Sequence, residues 1–223
     1  MKDKITKFLK ENGAIQVGFC RALENPFDMP YAISFVVPLS DAIIDTIDNA
    51  PTHTYFHHYR SVNTLIDNIS LRCGFMLRSN GYKYVPIPAS QSVSGTHGIY
   101  SHKSAAVASG LGTIGKSALF LSYENGPRVR LGTILTDCEF EVTKHTPPDL
   151  CGSCELCKNA CPAMAILGNK WTKNSERSDI IDAQACSDYM KRAFQKIGRG
   201  AVCGICMRVC PMKGYDKNAK QQS

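Results

Sequence analysis

Apolar residues recur along the first two thirds of the chain with two periods, one typical of helices and one typical of strands. The pattern predicts helices at 3–12, 53–79 and 103–109, and strands at 15–20, 31–37, 82–87, 118–122 and 128–135. The candidate core positions of the long helix are Leu65, Ile69, Phe75 and Met76. The last two strands are predicted to form a hairpin across residues 124–127.

A change of pattern divides the chain after this mixed α/β region. The Thr-Pro-Pro-Asp sequence at 146–149 predicts a boundary between a domain at 1–146 and a second domain at 147–223. In the second domain, helices are predicted at 163–167 and 183–196. The fold class predicted from these elements is α+β, an α/β domain followed by a ferredoxin-like module. The polar stretch at 89–101 is long enough to indicate a functional loop.

Two cysteine runs stand in the second domain, and the later one repeats the earlier one. The first is Cys151-x2-Cys154-x2-Cys157-x3-Cys161-Pro, which is the spacing of bacterial ferredoxins that bind two clusters. The second, Cys203-x2-Cys206-x3-Cys210-Pro, follows at an offset of 49, since 203 − 154 = 49. Its missing first cysteine falls on Gly200, because 151 + 49 = 200, and Cys186 is the predicted replacement.

These cysteines predict two [4Fe-4S] clusters with four thiolate ligands each. The first ligand set is Cys151, Cys154, Cys157 and Cys210, and the second is Cys161, Cys186, Cys203 and Cys206. Structural zinc sites are the alternative, although zinc does not require the third and fourth cysteines at these spacings. A disulfide framework is disfavoured because no signal peptide opens the sequence. Cys20, Cys73 and Cys138 lie outside the runs and are predicted to be core residues.

Composition and charge favour a soluble, cytoplasmic protein. No apolar run approaches the roughly 18 residues of a membrane span, so no membrane partner is expected. The formal charge is +7, and two oxidised clusters at about −2 each would bring it to about +3. Between Lys158 and Lys220 there are twelve Lys or Arg residues against five Asp or Glu. This basic surface either receives an acidic partner, such as a flavodoxin or a nucleic acid, or offsets the charge of the clusters.

The segment from Gly110 to Ser117 (GLGTIGKS) matches both GxGxxG and GxxxxGK[ST]. Both patterns require a strand before the glycine-rich loop and a helix after it. The predicted order here is the reverse, a helix before and a strand after. A nucleotide-binding iron–sulfur protein is therefore the lesser alternative.

Residues 102–117 also resemble the AxxAGLGxIGKN stretch of epoxyqueuosine reductases, cobalamin-dependent iron–sulfur enzymes related to reductive dehalogenases. The resemblance continues through GPRVRLGTILTD at 126–137, CGSC at 151–154 and DAQACSDY at 182–189. Tyr59, in the His-His-Tyr-Arg segment, resembles the start of the family's long helix more weakly.

This resemblance implies a nitroreductase-like α/β domain that binds a corrinoid, followed by the two-cluster module. Electrons from a low-potential donor, a ferredoxin or flavodoxin, would pass through the clusters to cobalt. The candidate cofactor-binding residues are Tyr59, Arg60, Lys103, Gly112, Lys116, Arg128 and Tyr189. Arg130 is a further candidate for contacts with corrin amides or with an anionic substrate.

The sequence departs from the family at two places. The family's catalytic aspartate stands some fourteen residues before GLG, where this sequence has Thr96 and no acid nearby. The loop offers His97, Tyr100 and His102 as catalytic proton donors instead, and a tyrosine has this role in the dehalogenases that the sequence resembles. The C-terminal repeats that hold tRNA in the family do not follow, so tRNA is not an expected partner.

The sequence thus favours a cobalamin-dependent reductase similar to epoxyqueuosine reductases. Its expected substrate is a small molecule, or a corrinoid held by another protein that it would activate. The alternative is a two-cluster ferredoxin-type electron carrier without a corrinoid.

Overall fold

The computed structural model describes residues 1–93 and 95–212. Its α-helices are α1 (Lys2–Glu11), α2 (Asp41–Ile44), α3 (His53–Ser79), α4 (His102–Ala108), α5 (Leu156–Asn159), α6 (Ala183–Ala193) and α7 (Ile205–Arg208). Its strands are β1 (Gln16–Arg21), β2 (Tyr31–Pro38), β3 (Tyr84–Ile87), β4 (Gly112–Ile114), β5 (Phe120–Ser122) and β6 (Val129–Thr136). Short 3₁₀ turns occupy Arg177–Asp179 and Gly198–Gly200. The mixture of helices and strands predicted for the chain is confirmed.

Four strands form the main sheet in the order β1-β2-β6-β3. β1 pairs with β2 and β3 pairs with β6, both antiparallel. β2 is buried along nearly its whole length, which matches its continuous apolar sequence. On the neighbouring strand, a side chain at Gly132 would collide with the ring of Phe35, so a glycine is required there for β2 and β6 to pack.

The long helix α3 has the predicted bounds, but its buried face differs from the predicted one. The buried apolar residues follow a helical stripe that consists of Val62, Ile66, Ile69, Cys73 and Leu77. Ile69 is therefore confirmed as a core residue and Met76 is half-buried. The prediction that Leu65 and Phe75 are core residues was wrong, since their side chains are 40% and 52% exposed. Apolar residues occupy more than one face of α3, and hydrophobicity alone does not indicate which face packs on the sheet.

Two other predicted elements also differ. Residues 163–167 form no helix; Ile166 makes a β-bridge to Ile181 instead, and Met164 has a left-handed φ of 50° that a helix excludes. The predicted hairpin is wrong too, because β5 pairs with β4 while β6 joins the main sheet. The turn itself is present, because Ser122 and Gly126 exchange two backbone hydrogen bonds of 2.9 and 3.0 Å, but β6 pairs with strands that are far away in sequence.

The chain forms two compact units. The first comprises Met1–Pro38, His57–Thr113 and Arg130–Pro148, and the second comprises Leu39–Phe56, Ile114–Val129 and the chain from Asp149 onward. The predicted boundary after residue 146 is close to the point between Pro148 and Asp149 where the chain passes from the first unit to the second. However, the predicted domain at 1–146 includes two segments that belong to the second unit. These two segments are joined by the Leu39 amide, which donates to the Arg128 carbonyl at 2.9 Å.

None of the helices in the described part of the chain combines the length and the hydrophobicity that a membrane span requires.

Candidate functional site

Burial separates eight cysteines, the seven of the two runs and Cys186, from the other three. Cys20, Cys73 and Cys138 are buried, as predicted for core residues. The remaining eight are all partly exposed, and none of the eleven forms a disulfide. A thiol that packs as a small apolar group is expected to be buried. Only these eight cysteines are partly exposed, and ligands of surface-accessible clusters are expected to have such exposure.

The first run folds around a carboxylate that sequence reasoning missed. Asp149 Oδ1 accepts hydrogen bonds from the amides of Cys151 and Gly152, at 3.0 and 3.1 Å. Asp149 Oδ2 pairs with Lys170 Nζ at 2.7 Å. The hydrogen bond from Lys170 and those from the two amides lower the pKa of Asp149. An Asp two residues before a turn is a recognisable cap signal, and here it fixes the start of the cysteine loop.

The offset of 49 residues predicted from the cysteines is also present in the helices. α5 contains Cys157 and α7 contains Cys206, and the bounds of α7 are those of α5 shifted by 49, since 156 + 49 = 205 and 159 + 49 = 208. The two helices contact each other within the second unit. The repeat in sequence is therefore a repeat in structure.

The electrostatic neighbours of each thiol divide the eight cysteines into two groups. After burial, the charges of Cys151, Cys157 and Cys154 raise the pKa of Cys210. The pKa of Cys157 is raised by burial and by Cys151 and Cys154. Cys210 is at least 53 residues from each of these cysteines, since 210 − 157 = 53, yet it lies beside them. These four residues are those predicted for the first ligand set.

The second group forms around Cys203. Burial raises the pKa of Cys203 to about 11, with further contributions from Cys186 and Cys161. Burial and the charge of Cys161 raise the pKa of Cys186. The pKa of Cys206 is raised by burial and by Cys203 and Cys186, with smaller effects from Cys157 and Cys161. The four thiols of the predicted second set are thus mutual neighbours, and the influence of Cys157 on Cys206 indicates that the two groups adjoin.

The two groups of four thiols match the number of thiolate ligands that two four-iron clusters need. Among the described residues, no three His, Cys, Asp or Glu side chains converge on a point that one metal ion can occupy. A four-iron cluster binds each thiolate at a different iron, so its ligands need not converge. The raised pKa values of Cys157, Cys186, Cys203, Cys206 and Cys210 mean that these thiols stay protonated when free, and iron must displace their protons when it binds.

Lys116, a predicted cofactor-binding residue, lies against the first cysteine loop. Its side chain is buried, and Nζ donates to the carbonyl oxygen of Cys154 at 3.0 Å. Its backbone amide donates to Cys151 Sγ at 3.5 Å. The order predicted for the glycine-rich segment is confirmed, since α4 precedes it and β5 follows it. The phosphate-loop arrangement, with a helix after the loop, is absent from these described residues.

Arg128, another predicted cofactor-binding residue, is buried and forms ion pairs with two partly exposed carboxylates. Its guanidinium pairs with Asp41 Oδ1 and Asp45 Oδ1, both at 2.8 Å, and Arg208 Nε lies 3.5 Å from the same Asp45 oxygen. Burial lowers the pKa of Arg128, but Asp45 and Asp41 together outweigh it and leave the pKa raised. This network joins three segments of the second unit.

In the first unit, Arg130 gathers a polar cluster that includes Tyr59. The guanidinium lies 4.4 Å from the centre of the Tyr59 ring, and Nη2 donates to the phenol oxygen at 3.4 Å. It also donates to Asn63 Oδ1 and to the Ala89 carbonyl, each at 2.9 Å. The Tyr59 and Ser90 hydroxyls share a hydrogen bond of 2.8 Å. Burial raises the pKa of Tyr59, but the charge of Arg130 and these hydrogen bonds outweigh it, so the net pKa is lowered.

The three predicted proton donors occupy different environments. His102 Nδ1 bonds to Thr133 Oγ1 at 2.8 Å and Nε2 to the Pro88 carbonyl at 3.0 Å, so both ring nitrogens are engaged. Burial is the main cause that lowers the pKa of His102. The Tyr100 hydroxyl accepts from the Leu23 amide at 3.1 Å, and burial raises its pKa. His97 is exposed, and its carbonyl accepts from Val93.

The other predicted cofactor-binding residues are spread over both units. Arg60 is exposed on α3 beside Tyr59, Lys103 is half-buried on α4, and Gly112 is buried in β4. Tyr189, on α6, packs edge-on against Phe194 with a centroid separation of 5.7 Å. Sequence reasoning missed Asn63, because its role depends on contact with an arginine 67 residues away.

The family model for a 4Fe-4S double cluster binding domain matches residues 150–213. Two kinds of enzyme are similar to the chain in sequence. An epoxyqueuosine reductase from Cyclobacterium marinum is 30% identical over 128 residues, which cover 53% of this chain and 38% of that protein. A tetrachloroethene reductive dehalogenase from Desulfitobacterium hafniense is 29% identical over 120 residues, which cover 47% of this chain and 21% of that protein. The chain therefore matches less than half the length of these relatives.

Solved structures of both kinds of enzyme have the same fold as this chain. A catabolic reductive dehalogenase, NpRdhA, superposes with a TM-score of 0.78 at 21% identity, over 97% of this chain and 32% of that one. An epoxyqueuosine reductase from Bacillus subtilis gives 0.67 at 19% identity, over 96% of this chain and 66% of that one. The chain is thus similar in sequence and in fold to epoxyqueuosine reductases, and its residues 150–213 match a double 4Fe-4S cluster binding domain. The finer assignment of the first domain as nitroreductase-like stays a prediction.

Proposed function

We propose that this protein is an iron–sulfur reductase that transfers electrons through two [4Fe-4S] clusters to a bound corrinoid, for reduction of a small molecule or activation of a corrinoid. The observation that carries the proposal is the division of eight partly exposed thiols into two groups of four neighbours. Fully buried structural cysteines would not need this exposure, and single metal ions would need convergent ligands.

The clusters and the corrinoid would supply different kinds of redox chemistry. Each cluster supplies a one-electron redox centre, and a corrinoid supplies low-valent cobalt as a strong reductant or nucleophile. Thiolates of the first set (Cys151, Cys154, Cys157 and Cys210) and of the second set (Cys161, Cys186, Cys203 and Cys206) would hold the clusters. The corrinoid is supported by likeness to enzymes such as a reductive dehalogenase with B12-dependent dehalogenation, TM-score 0.77 at 22% identity.

Protons for the reduction would come from the loop before α4. His102 is the weakest of the three candidates, because both of its ring nitrogens already have protein partners. Tyr100 accepts a backbone hydrogen bond and still has its own proton to donate. His97 is exposed and accessible to a substrate. We therefore propose His97 or Tyr100 as the acid and His102 as a residue that positions the loop.

The electron donor would be acidic, a ferredoxin or flavodoxin. The twelve basic against five acidic residues between Lys158 and Lys220 favour attraction of such a protein. We also propose a cytoplasmic location, where a reducing environment preserves the thiols.

Corrinoid retention tests this proposal. Protein that is purified without oxygen, reconstituted with iron, sulfide and hydroxocobalamin, and then desalted should retain about one cobalt per about eight irons. Absorption spectra and metal analysis measure the retained corrinoid and the iron content. The matched control omits iron and sulfide, and it shows whether corrinoid binding depends on the clusters.

About eight irons without cobalt would refute the corrinoid and leave a two-cluster electron carrier. That alternative agrees with the absence of an acid near Thr96. A nucleotide-binding function is not favoured, since Lys116 Nζ already donates to a backbone carbonyl.

A further inference from the structure

The glycine-rich segment Gly110–Ser117 matches nucleotide-binding patterns, yet its lysine contacts the first cysteine run. Lys116 is only 6% exposed. Its two donors both reach the first cysteine run, Nζ at the Cys154 carbonyl and the backbone amide at Cys151 Sγ. The preceding residue is equally constrained, because a Cβ on Gly115 would approach Leu121 to 2.7 Å and Cys151 Sγ to 3.3 Å. The segment is therefore built to pack closely on this loop.

The ammonium group of Lys116 lacks a carboxylate partner within residues 1–93 and 95–212. Burial of a charge without compensation is unfavourable. A cluster held by Cys151 and Cys154, which both contact Lys116, would supply negative charge, about −2 with its thiolates when oxidised. A cluster in the first set would thus balance the charge that the protein alone leaves unpaired.

The second ligand set has a different environment. The positive charge that acts on Cys186 belongs to Arg177, and this residue is exposed. Solvent and salt screen an exposed charge much more strongly than a buried one. The two clusters would therefore experience unequal positive fields although their cysteine motifs repeat.

We propose that Lys116 raises the reduction potential of the cluster bound by Cys151, Cys154, Cys157 and Cys210, and so makes this cluster a preferred site for the incoming electron. The inference rests on the proposed function, because it requires both clusters. In the step concerned, the cluster gains one electron from a low-potential ferredoxin or flavodoxin, and no bond forms or breaks. The added negative charge is stabilised by the buried ammonium, and the amide hydrogen bond to Cys151 Sγ acts in the same direction.

Lys116→Gln removes the charge but keeps a hydrogen-bond donor for the Cys154 carbonyl. We expect it to lower the ratio of reduced to oxidised first cluster about tenfold at a fixed potential, which equals about 59 mV for a one-electron couple. The second cluster should change much less. Lys116→Arg keeps the charge and should stay near the wild-type potential.

Lys158→Gln is the matched control. Lys158 belongs to the same cysteine run, but its side chain is 42% exposed and pairs with Glu155 at 3.4 Å. Removal of this screened charge should leave both potentials nearly unchanged. The measurement is a redox titration of anaerobically reconstituted protein, followed by electron paramagnetic resonance. Cys186→Ser, which is expected to lack the second cluster, identifies the signal of the first.

Equal potentials in wild type and Lys116→Gln, with about eight irons in each, would overturn the inference and leave the proposed function intact. Wild-type protein that binds no clusters would instead refute the proposed function. If the Gln variant binds less iron, Lys116→Met replaces it in the same titration, since it has similar length and no charge. A Met variant with unchanged potential would also overturn the inference.

Discussion

Replacement of Cys154 and Cys210 together by serine should remove about four of about eight irons, whereas replacement of Cys154 and Cys186 together should remove nearly all of them. Cys154 and Cys210 belong to the same predicted ligand set, whereas Cys154 and Cys186 belong to different sets. If a cluster fails to assemble without one of its thiolates, a second loss in the same set has no further effect. The same number of substitutions thus gives different iron contents.

This expectation depends on which thiols are neighbours. Cys210 is influenced by Cys151, Cys157 and Cys154, and Cys186 is influenced by Cys161. In the second run, Cys210 follows Cys206 by only four residues, yet the chain carries it to the other group. Such an exchange of the last cysteine is typical of two-cluster ferredoxins.

Iron and sulfide analysis after anaerobic reconstitution measures the result. Cys73→Ala is the control, because Cys73 is buried in the first unit and should leave the iron content unchanged. Equal iron loss in the two double variants would contradict the ligand sets.

Asp41→Asn combined with Asp45→Asn should destabilise the second unit by about 3–5 kcal/mol. Arg128 is almost fully buried, its guanidinium stays charged, and these two carboxylates are its ion-pair partners. Their loss leaves a buried charge without compensation. Because the two carboxylates are themselves 56% and 45% exposed, the effect arises from the arginine that remains.

A third substitution tests this cause. Arg128→Met added to the two asparagines removes the uncompensated charge and should recover a large part of the stability. Glu11→Gln is the control, since the Lys7–Glu11 pair is exposed and 3.9 Å long, and its loss should change stability by less than about 0.5 kcal/mol.

Native-state hydrogen exchange is a suitable measurement because it does not require cluster loss. The Leu39 amide, which donates to the Arg128 carbonyl, reports local opening beside the network. If the double variant changes its opening free energy by less than about 1 kcal/mol, or the Met substitution gives no recovery, the network does not stabilise the unit as described.

Local patterns predicted the double 4Fe-4S cluster domain, because cysteine spacing within a run is a local property. The offset of 49 residues appears in both the cysteines and the helices α5 and α7. The bounds of α3 were likewise predictable from its periodicity. Its buried face was not, since Phe75 is exposed although it is aromatic.

Roles that depend on distant contacts were not accessible from the sequence. Arg128 was a candidate cofactor-binding residue, but it pairs with carboxylates 83 and 87 residues away. Lys116 resembled a phosphate-binding lysine and instead contacts a cysteine 38 residues later. In both cases the residue type indicated an ionic role, and only the fold identified the partner.

The most direct test of the two-cluster account is a Mössbauer spectrum of wild-type protein reconstituted without oxygen with the Mössbauer-active isotope of iron. Two clusters per chain require about eight irons, and we expect all of them in [4Fe-4S] clusters. Two-iron clusters, a single four-iron cluster, or zinc in place of iron would contradict it.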